Sequence, residues 1–207
     1  MESTYVQYGC GLSAPPGWVN FDASPTLRLE KLPLIGSLIH KNAERFPSNV
    51  RFGDIVRGLP LPQGSGKAVY CSHVLEHLSL HDFRVALSNT RRLLKTKGIF
   101  RLVVPDLRAA ALRYVADPDD AAAIRFMEET YLGTATRQRG AMGMLRTWLG
   151  NSQHLWMWDF PSMCKELEAA GFGGIRAAQF GDSEDPMFAD VEDPLRWEDA
   201  VAIQCHA

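Results

Sequence analysis

Several features that would narrow the function of this protein are missing from its sequence. The 207 residues include only four cysteines, and none forms a C-x-x-C pair, so we expect buried free thiols and no zinc knuckle or redox dithiol. No apolar run approaches the ~20 residues that span a bilayer, and the first residues lack the basic and apolar regions of a secretory signal. The net charge of −2 comes without a basic face. These absences predict a cytoplasmic protein with no membrane or nucleic-acid partner.

The sequence does contain an alternation of short β-like runs with helix-like runs. This alternation predicts an α/β fold, a doubly wound, mostly parallel sheet with helices on its faces. The last two strands have no helix between them, so we expect the last strand to run antiparallel. The seven predicted strands are Tyr5–Tyr8, Trp18–Phe21, Val50–Phe52, Lys67–Cys71, Ile99–Val104, Ile175–Phe180 and Val201–Cys205.

Helix starts and stops are marked by capping residues, proline and glycine. An acidic, proline-containing loop at 182–199 precedes the last strand. The predicted helical segments are Leu27–Phe46, one from Ser79 to a left-handed stop at Gly98, one from Asp106 to about Val115, one starting at Asp117-Pro118, and one from Asp159 to Gly171.

Residues with cofactor-binding chemistry follow the first strands, where a doubly wound sheet places its ligand. A Gly9-Cys10-Gly11 bend lets backbone approach a nucleotide closely. Asp22 can accept hydrogen bonds from both hydroxyls of a ribose, and Asp54 from an adenine amine, with Ile55 packing on the ring. Each residue taken alone is equally consistent with an ordinary turn. Their succession at strand ends predicts a nucleotide-like cofactor.

The first crossover is too short for a dinucleotide-binding motif. Such a motif has a third glycine and an acidic residue ~20 positions on, whereas Asp22 comes 13 positions after Gly9. The segment from Gly9 to Gly17 spans at most ~30 Å when extended. We therefore predict a loop, or at most one helical turn, in place of the first helix. A nicotinamide-dependent oxidoreductase remains the less favoured alternative.

Two runs, one beginning in the fourth strand and one at the end of the helix that follows it, are similar to motifs of small-molecule methyltransferases of the methyltransferase-11 type. They are Tyr70–Leu78 (YCSHVLEHL) and Arg92–Gly98 (RLLKTKG), and the resemblance is most specific over residues 70–106. It implies a class I methyltransferase fold with S-adenosylmethionine (SAM) as methyl donor and S-adenosylhomocysteine as product. Further segments resemble a bacterial subgroup with a shortened first crossover: Gly9–Gly11, Pro16–Asn20, Asp22, His154–Asp159 and Ser162.

The resemblance also implies roles for residues at the strand ends. The glycine bend would face the methionine part of SAM, Asp22 the ribose, Asp54 and Ile55 the adenine, and Ser72 and His73 the sulfonium. The sequence departs from the family pattern at Gln7-Tyr8, where an acidic residue is usual, and at Lys97 in place of a second glycine. The cofactor-binding residues predicted in this way are Tyr8, Gly9, Cys10, Gly11, Asp22, Ala23, Asp54, Ile55, Ser72 and His73.

The expected acceptor is a small molecule, such as a sugar or another hydroxylated metabolite. A hydroxyl acceptor needs a base, and histidine titrates near ~6.5, which suits that role. We predict His73 and His154 as catalytic residues, and His77, Trp156 and Trp158 as substrate-binding residues. His77 is also consistent with a helix-start residue bonded to backbone, and His154 with a core segment. The chain is predicted to form one methyltransferase domain over residues 1–207, with a helical insertion at about 106–158 shaping the acceptor site.

Other functions remain open at the level of sequence. His73-x-x-Glu76-His77 matches the H-x-x-E-H pattern of inverted zinc peptidases, which needs both histidines on one helix face. Some related O-methyltransferases have a similar Glu-x-x-Glu-His cluster that binds a divalent metal. Such a metal is compatible with this chain but is not predicted, because His73 replaces the first glutamate. A non-catalytic binding module with the methyltransferase fold and a homodimer are further alternatives.

Overall fold

A seven-stranded sheet forms the centre of the molecule in the computed structural model, which describes residues 4–32, 45–136 and 153–207. The strand order is β3-β2-β1-β4-β5-β7-β6. Strands β1 to β5 pair in parallel, and β7 pairs antiparallel with both β5 and β6. This arrangement confirms the predicted fold class. The strands are β1 Thr4–Tyr8, β2 Val19–Asp22, β3 Arg51–Phe52, β4 Gly66–Ser72, β5 Leu94–Pro105, β6 Gly173–Ala177 and β7 Ala200–His206.

Three of the described helices begin at capping residues that the sequence predicts. The Ser79 hydroxyl accepts from the amide of Asp82, the Asp106 carboxylate accepts from two amides, and Asp159 forms a capping box with Ser162. Among the described residues, no helix has the length and hydropathy of a membrane span. The described α-helices are α1 Pro25–Glu30, α2 Leu80–Leu93, α3 Leu107–Ala116, α4 Ala122–Glu129 and α5 Phe160–Ala169, and 3-10 turns form at Leu75–His77, Pro186–Asp190 and Pro194–Arg196.

The predicted helix start at Asp117-Pro118 is wrong, because α4 begins five residues later, at Ala122. The Asp117 carboxylate accepts a hydrogen bond from the amide of Asp119 at 3.0 Å and pairs with Arg125 at 2.6 Å. An aspartate that bonds its own backbone two residues on forms a turn. Asp117, which the sequence analysis placed at a helix start, therefore stabilises the turn between α3 and α4.

The predicted helix stop at Gly98 is also wrong. Helix α2 ends at Leu93, β5 begins at Leu94, and Lys97 adopts the left-handed conformation (φ 62°). At Gly98 a Cβ atom would lie 2.9 Å from the Lys95 carbonyl oxygen, so this position needs glycine for close packing. In the predicted helix Leu27–Phe46, α1 ends at Glu30, and residues 33–44 lie outside the described part of the chain.

The first crossover contains no helix, as predicted. The segment from Gly9 to Gly17 consists of turns and extended chain, and the Asn20 side-chain amide donates to the carbonyls of Pro15 and Trp18 at 3.0 and 2.9 Å. On this side of the sheet, Trp18 packs edge-on against Phe188, with ring centroids 5.4 Å apart. A segment near the C-terminus thus covers sheet surface that the short crossover leaves bare.

The two faces of the sheet are covered by different kinds of structure. Phe83 of α2 and Met163 of α5 are fully buried against one face. On the other face, Tyr70 and Val103 pack beneath Phe188, which belongs to a 3-10 turn of the acidic loop. The loop is therefore part of the core packing and holds its position relative to the ends of β4 and β5.

Arg101 fixes the acidic loop to the sheet. Its guanidinium lies at the centre of β5 with no exposed surface, and it bonds Glu192 and, at 2.8 Å, Asp182. A buried cation is tolerated only with paired anions and hydrogen bonds. The loop's acidic residues supply this pairing.

Candidate active site

The bend after β1 contains two glycines whose backbone conformations favour glycine. Gly9 and Gly11 adopt left-handed conformations with φ of 64° and 55°. A Cβ atom on Gly9 would lie 2.1 Å from Cγ2 of Val74, whereas one on Gly11 would contact no atom within 4 Å. Gly9 is thus required both by its backbone conformation and by the close approach of the segment after β4.

Asp22 holds this bend against the end of β2. Its two carboxylate oxygens accept hydrogen bonds from the amides of Gly11 (2.9 Å) and Ser24 (2.7 Å). The side chain is largely buried, and Ser24 in turn caps α1. Because each carboxylate oxygen accepts more than one hydrogen bond, Asp22 retains capacity for a ligand.

Asp54 and Ile55 occupy the equivalent place after β3. One Asp54 oxygen accepts from the amide of Val56 at 2.9 Å, and the carboxylate pairs with Arg57 at 3.5 Å. Ile55 is buried, and its carbonyl accepts a hydrogen bond of 2.7 Å from Asn89 on α2. The chain after β3 is therefore fixed by both local turn bonds and the helix beneath it.

A cleft of about 320 Å³ opens between these strand ends. It is lined by seven of the predicted cofactor-binding residues: Tyr8, Gly9, Asp22, Ala23, Asp54, Ile55 and His73. Asp22 and Asp54 border this one cleft. His77, which the sequence assigns to the substrate, lines the same cleft, and sequence reasoning missed five further lining residues: Ser24, Pro25, Gly53, Val74 and Leu78.

Three predicted cofactor-binding residues, Cys10, Gly11 and Ser72, do not line this cleft. Cys10 is buried, and burial together with the Asp22 carboxylate raises the pKa of its thiol to about 12. Gly11 contributes its amide to Asp22. Ser72 is buried, and its carbonyl accepts a hydrogen bond of 3.1 Å from Arg196. These three residues adjoin residues that line the cleft but do not line it themselves, and their role in cofactor binding stays a prediction.

His73 lies in a strained turn directly after β4. Its φ of 54° is unusual for a residue other than glycine, and such strain concentrates at functional sites. Nε2 lies 2.9 Å from the carbonyl oxygen of Arg196, and Nδ1 lies 3.4 Å from Oε1 of Glu76. Burial lowers the pKa of His73, but the Glu76 carboxylate and the Arg196 carbonyl outweigh it, so the pKa is raised. Both ring nitrogens face acceptors, which favours the protonated ring.

Glu76 is at the centre of a cluster with three histidines. Its side chain is fully buried, and neither carboxylate oxygen has a hydrogen-bond partner. Nε2 of His77 lies 4.0 Å from Oε1 of Glu76, and the rings of His77 and His154 meet edge-on with centroids 5.1 Å apart. His73 ends a strand, and the other two motif residues lie in a 3-10 turn. The H-x-x-E-H motif is therefore not on a helix, as a zinc peptidase requires.

The environment of His154 lowers the pKa of its ring. Burial lowers its pKa most, and the neighbouring rings of His77 and His73 lower it further, against the opposing effects of Glu76 and the backbone of Thr130. Its Nδ1 is buried without a hydrogen-bond partner. Of the two histidines predicted to be catalytic, His73 has an acceptor beside each ring nitrogen, whereas Nδ1 of His154 has none.

A second cavity of about 560 Å³ lies on the other side of His73. Acidic groups dominate its polar lining, with one ion pair of 2.9 Å between Arg113 and Asp199. Its lining comprises His73, Pro105, Asp106, Ala110, Arg113, Glu129, Thr130, Tyr131, His154, Met157, Glu198 and Asp199.

The two tryptophans predicted to bind substrate lie outside the lining of this cavity. Trp156 is 42% exposed. Trp158 is buried in the core, with its ring 4.1 Å from that of Phe83. Residues 137–152 of the predicted insertion lie outside the described part of the chain. The substrate-binding role of both tryptophans stays a prediction.

The chain resembles known methyltransferases both in sequence and in fold. Residues 8–102 match the family model Methyltransf_11, a methyltransferase domain. A SAM-dependent methyltransferase from Thermotoga maritima, a possible histamine N-methyltransferase, has a TM-score of 0.53 at 15% identity over 100% of this chain and 83% of its own. A SAM-dependent methyltransferase from Archaeoglobus fulgidus has a TM-score of 0.50 at 13% identity over 100% and 86%. No curated protein sequence matches the chain at a significant level.

PigF, solved with S-adenosylhomocysteine (SAH), has a TM-score of 0.50 at 15% identity. The alignment covers 99% of this chain and 50% of the PigF chain, so the chain described here spans half the length of that protein. At such low identity these likenesses show a shared fold. Together with the sheet order, they show the fold of class I SAM-dependent methyltransferases, and residues 8–102 carry the match to the methyltransferase-11 family model.

Proposed function

We propose that this protein binds SAM in the cleft beside the glycine bend and transfers its methyl group to a small molecule held in the second cavity. The acceptor atom is a hydroxyl of a sugar or another polyhydroxylated metabolite. One observation carries the proposal: His73 borders both cavities, so a donor in one and an acceptor in the other meet at a shared wall.

The residues of the cleft fit an adenosyl group. Its volume of about 320 Å³ lies within the ~300–1,000 Å³ typical of small-molecule sites. Asp22 accepts the two ribose hydroxyls with the lone pairs that its backbone bonds leave free, and Asp54 accepts the adenine amine. Ile55 and Leu78 offer apolar surface to the ring. Bound SAM supplies a methyl group already activated by its positive sulfur.

The protein's own contribution to the transfer is mainly positioning. The acceptor oxygen forms a bond to the methyl carbon as the carbon–sulfur bond breaks, and the sulfur keeps the electron pair. Holding the two reacting atoms in line and excluding water accounts for roughly 7–11 kcal/mol of such a barrier. The hydroxyl proton must also leave, and the groups nearest to it are those of the cluster around Glu76. Among them, His154 lines the acceptor cavity and keeps a nitrogen free.

The acceptor cavity favours hydroxyl-rich molecules over anions. Four carboxylates line it, those of Asp106, Glu129, Glu198 and Asp199, against the guanidinium of Arg113 and the His73 ring. Carboxylates accept hydrogen bonds from hydroxyls and repel phosphates and other carboxylates. This lining supports a neutral or cationic acceptor with several hydroxyl groups.

Isothermal titration calorimetry with SAH tests cofactor binding. We expect the protein to bind SAH, and the Asp22→Ala variant to bind it at least about 10-fold more weakly, because a hydrogen bond to a charged group contributes about 1.5–3 kcal/mol. Asp120→Ala, at an exposed position on the loop before α4, is the matched control and keeps the affinity. No heat with SAH together with a heat with NADH would favour an oxidoreductase.

Methyl transfer itself is followed as SAH release from SAM in the presence of free sugars and polyols. Release that depends on one of these compounds supports the proposal. SAH binding without release for any acceptor class, anionic compounds included, would favour a non-catalytic binding module.

A further inference from the structure

The carboxylate of Glu76 makes no hydrogen bond, although it is buried where proteins rarely leave a carboxylate oxygen unsatisfied. Both oxygens are buried and make no hydrogen bond, and the residue has no exposed surface. An ionised carboxylate taken out of water is costly unless it is paired or bound to a metal, so an unsatisfied buried carboxylate indicates a missing partner. His73 is the nearest cation: its Nδ1 forms an ion pair with Oε1 at 3.4 Å but no hydrogen bond, so both carboxylate oxygens keep lone pairs for a metal.

Two imidazoles complete a set of metal ligands around this carboxylate. One ligand atom each from Glu76, His77 and His154 lies within 4.8 Å of the others. Ligand atoms bound to one metal at ~2.0–2.2 Å lie about 3.5 Å from one another. Metal binding would therefore shorten the distances between these three atoms by roughly an ångström. A second observation also marks Glu76 and His154 as metal ligands, because each carries a buried polar atom with no hydrogen-bond partner.

The backbone holds these ligands together. The amides of Leu155 and Trp156 both donate to the carbonyl oxygen of Glu76, at 2.8 and 3.1 Å. This pair of bonds fastens the segment that follows His154 to the 3-10 turn that carries Glu76 and His77. Residues 78 positions apart in the chain (154 − 76) are thereby fixed as neighbours.

His77 is oriented as metal-binding histidines usually are. Its Nδ1 lies 3.0 Å from the carbonyl oxygen of Gln153, to which it donates a hydrogen bond. A proton on Nδ1 leaves the lone pair on Nε2, the nitrogen nearest Glu76. Such a hydrogen bond to a backbone carbonyl fixes the tautomer and raises the basicity of a ligating imidazole.

We propose that Glu76, His77 and His154 bind one divalent transition-metal ion at the wall between the two cavities. Two imidazoles with one carboxylate suit zinc, iron(II), manganese(II) or cobalt(II), whereas magnesium and calcium prefer oxygen ligands alone. Three protein ligands leave coordination positions open. His77 borders the cleft of the proposed cofactor and His154 the second cavity, so the ion would lie between the two.

The role of the ion rests on the proposed function. A metal at this position binds the acceptor hydroxyl and lowers its pKa, as it does for bound water. With the ion bound, His154 acts as a ligand and no longer accepts the hydroxyl proton, which leaves to solvent. The metal-bound oxygen forms its bond to the methyl carbon as the carbon–sulfur bond breaks, and the sulfur keeps the electron pair. This role favours acceptors with two neighbouring oxygens, which can occupy two open positions at once.

Cobalt(II) titration of the full chain tests the site directly. The protein is first freed of metal by dialysis against a chelator, and the visible absorption of bound cobalt is then followed. We expect one cobalt per chain, displaced by zinc. His77→Ala and His154→Ala are expected to weaken binding by at least about 100-fold, since even outer partners of a metal account for about 10–100-fold in affinity. His81→Ala, an exposed histidine of α2, is the matched control and leaves binding unchanged.

The outcomes separate the metal site from the proposed function. Absence of cobalt uptake, or equal uptake by the His77→Ala, His154→Ala and His81→Ala variants, overturns the metal site. Far-ultraviolet circular dichroism of each variant shows that it is folded, and Glu76→Gln provides a second ligand variant of nearly unchanged shape. SAH calorimetry on the metal-free protein runs beside the titration. SAH binding without cobalt uptake rejects only the metal site, and cobalt uptake without SAH binding rejects only the proposed function.

Discussion

The cleft beside the glycine bend and the cluster around Glu76 lie side by side but differ in how their buried polar groups are satisfied. In the cleft, both oxygens of Asp22 are bonded to backbone amides, and the bend at Gly9 is fixed by its contact with Val74. In the cluster, both oxygens of Glu76 and Nδ1 of His154 are buried without partners. The polar groups of Asp22 are thus satisfied by the protein, whereas the cluster keeps buried polar atoms that are available to a further group. Substitutions in the two regions should therefore have different consequences.

The largest effect is expected at His154, on catalysis. His154→Ala should lower the rate of methyl transfer to a responsive polyol by about 100- to 10,000-fold, the usual contribution of proton transfer in catalysis. SAH affinity should stay within about 3-fold, because His154 does not line the cofactor cleft. SAH release and calorimetry measure the two quantities on the same preparation, with His81→Ala as the control. An equal loss of SAH affinity would contradict the assignment of cofactor binding and catalysis to two separate regions.

Gly9→Ala should produce the next largest effect, on stability. A side chain in the left-handed conformation costs roughly 1–2 kcal/mol, and overpacking a filled site costs about 1–3 kcal/mol more. We expect the free energy of unfolding to fall by about 2–5 kcal/mol, measured by urea denaturation.

Gly11→Ala is the matched control for that substitution. It shares the left-handed backbone but meets no atom within 4 Å, so it should lose only about 1–2 kcal/mol. Equal losses in the two variants would mean that the contact between Gly9 and Val74 is not a constraint on the cleft.

Asp22→Asn should have an intermediate effect, on both stability and cofactor affinity. The amide replaces one acceptor oxygen with a donor, which faces the amide of Gly11 or Ser24. We expect SAH affinity to fall by about 10- to 100-fold and the free energy of unfolding by about 1–3 kcal/mol. Asp120→Asn, at an exposed position, should change neither quantity in calorimetry or denaturation.

Glu76→Gln should have the smallest effect on stability, and of the opposite sign. In the metal-free protein it removes a buried charge that makes no hydrogen bond, so the free energy of unfolding should stay within about 1 kcal/mol of the original value or rise. A loss as large as that of Asp22→Asn, measured by urea denaturation after chelation, would show that Glu76 already has a full set of partners.

The sequence was sufficient to predict the rim of the cleft, because that rim is assembled from strand ends in chain order. Asp22 and Asp54 each follow a predicted strand, and parallel strands bring their carboxyl ends to one edge. The helix starts at Ser79, Asp106 and Asp159 were predictable for a similar reason, since a cap acts on its own helix.

The rest of the site depends on residues that are distant in sequence. The Arg196 carbonyl that contacts His73 lies 123 positions away, on a turn held by packing of the acidic loop. The pairing of Arg101 with the acidic loop has no local signal either, because its strand otherwise reads as apolar. Trp158 was predicted to bind substrate, and its burial in the core against Phe83 is a contact that its position in the sequence did not predict. Sequence periodicity distinguishes buried from exposed residues, but it does not tell whether a buried residue packs in the core or lines a pocket.

The most direct test of the central claim is a crystal structure of the protein with SAH. Our account predicts an adenosyl group between Asp22 and Asp54, with ribose hydroxyls bonded to Asp22 and the sulfur directed toward His73. An SAH molecule bound elsewhere, or one whose ribose does not reach Asp22, would contradict it.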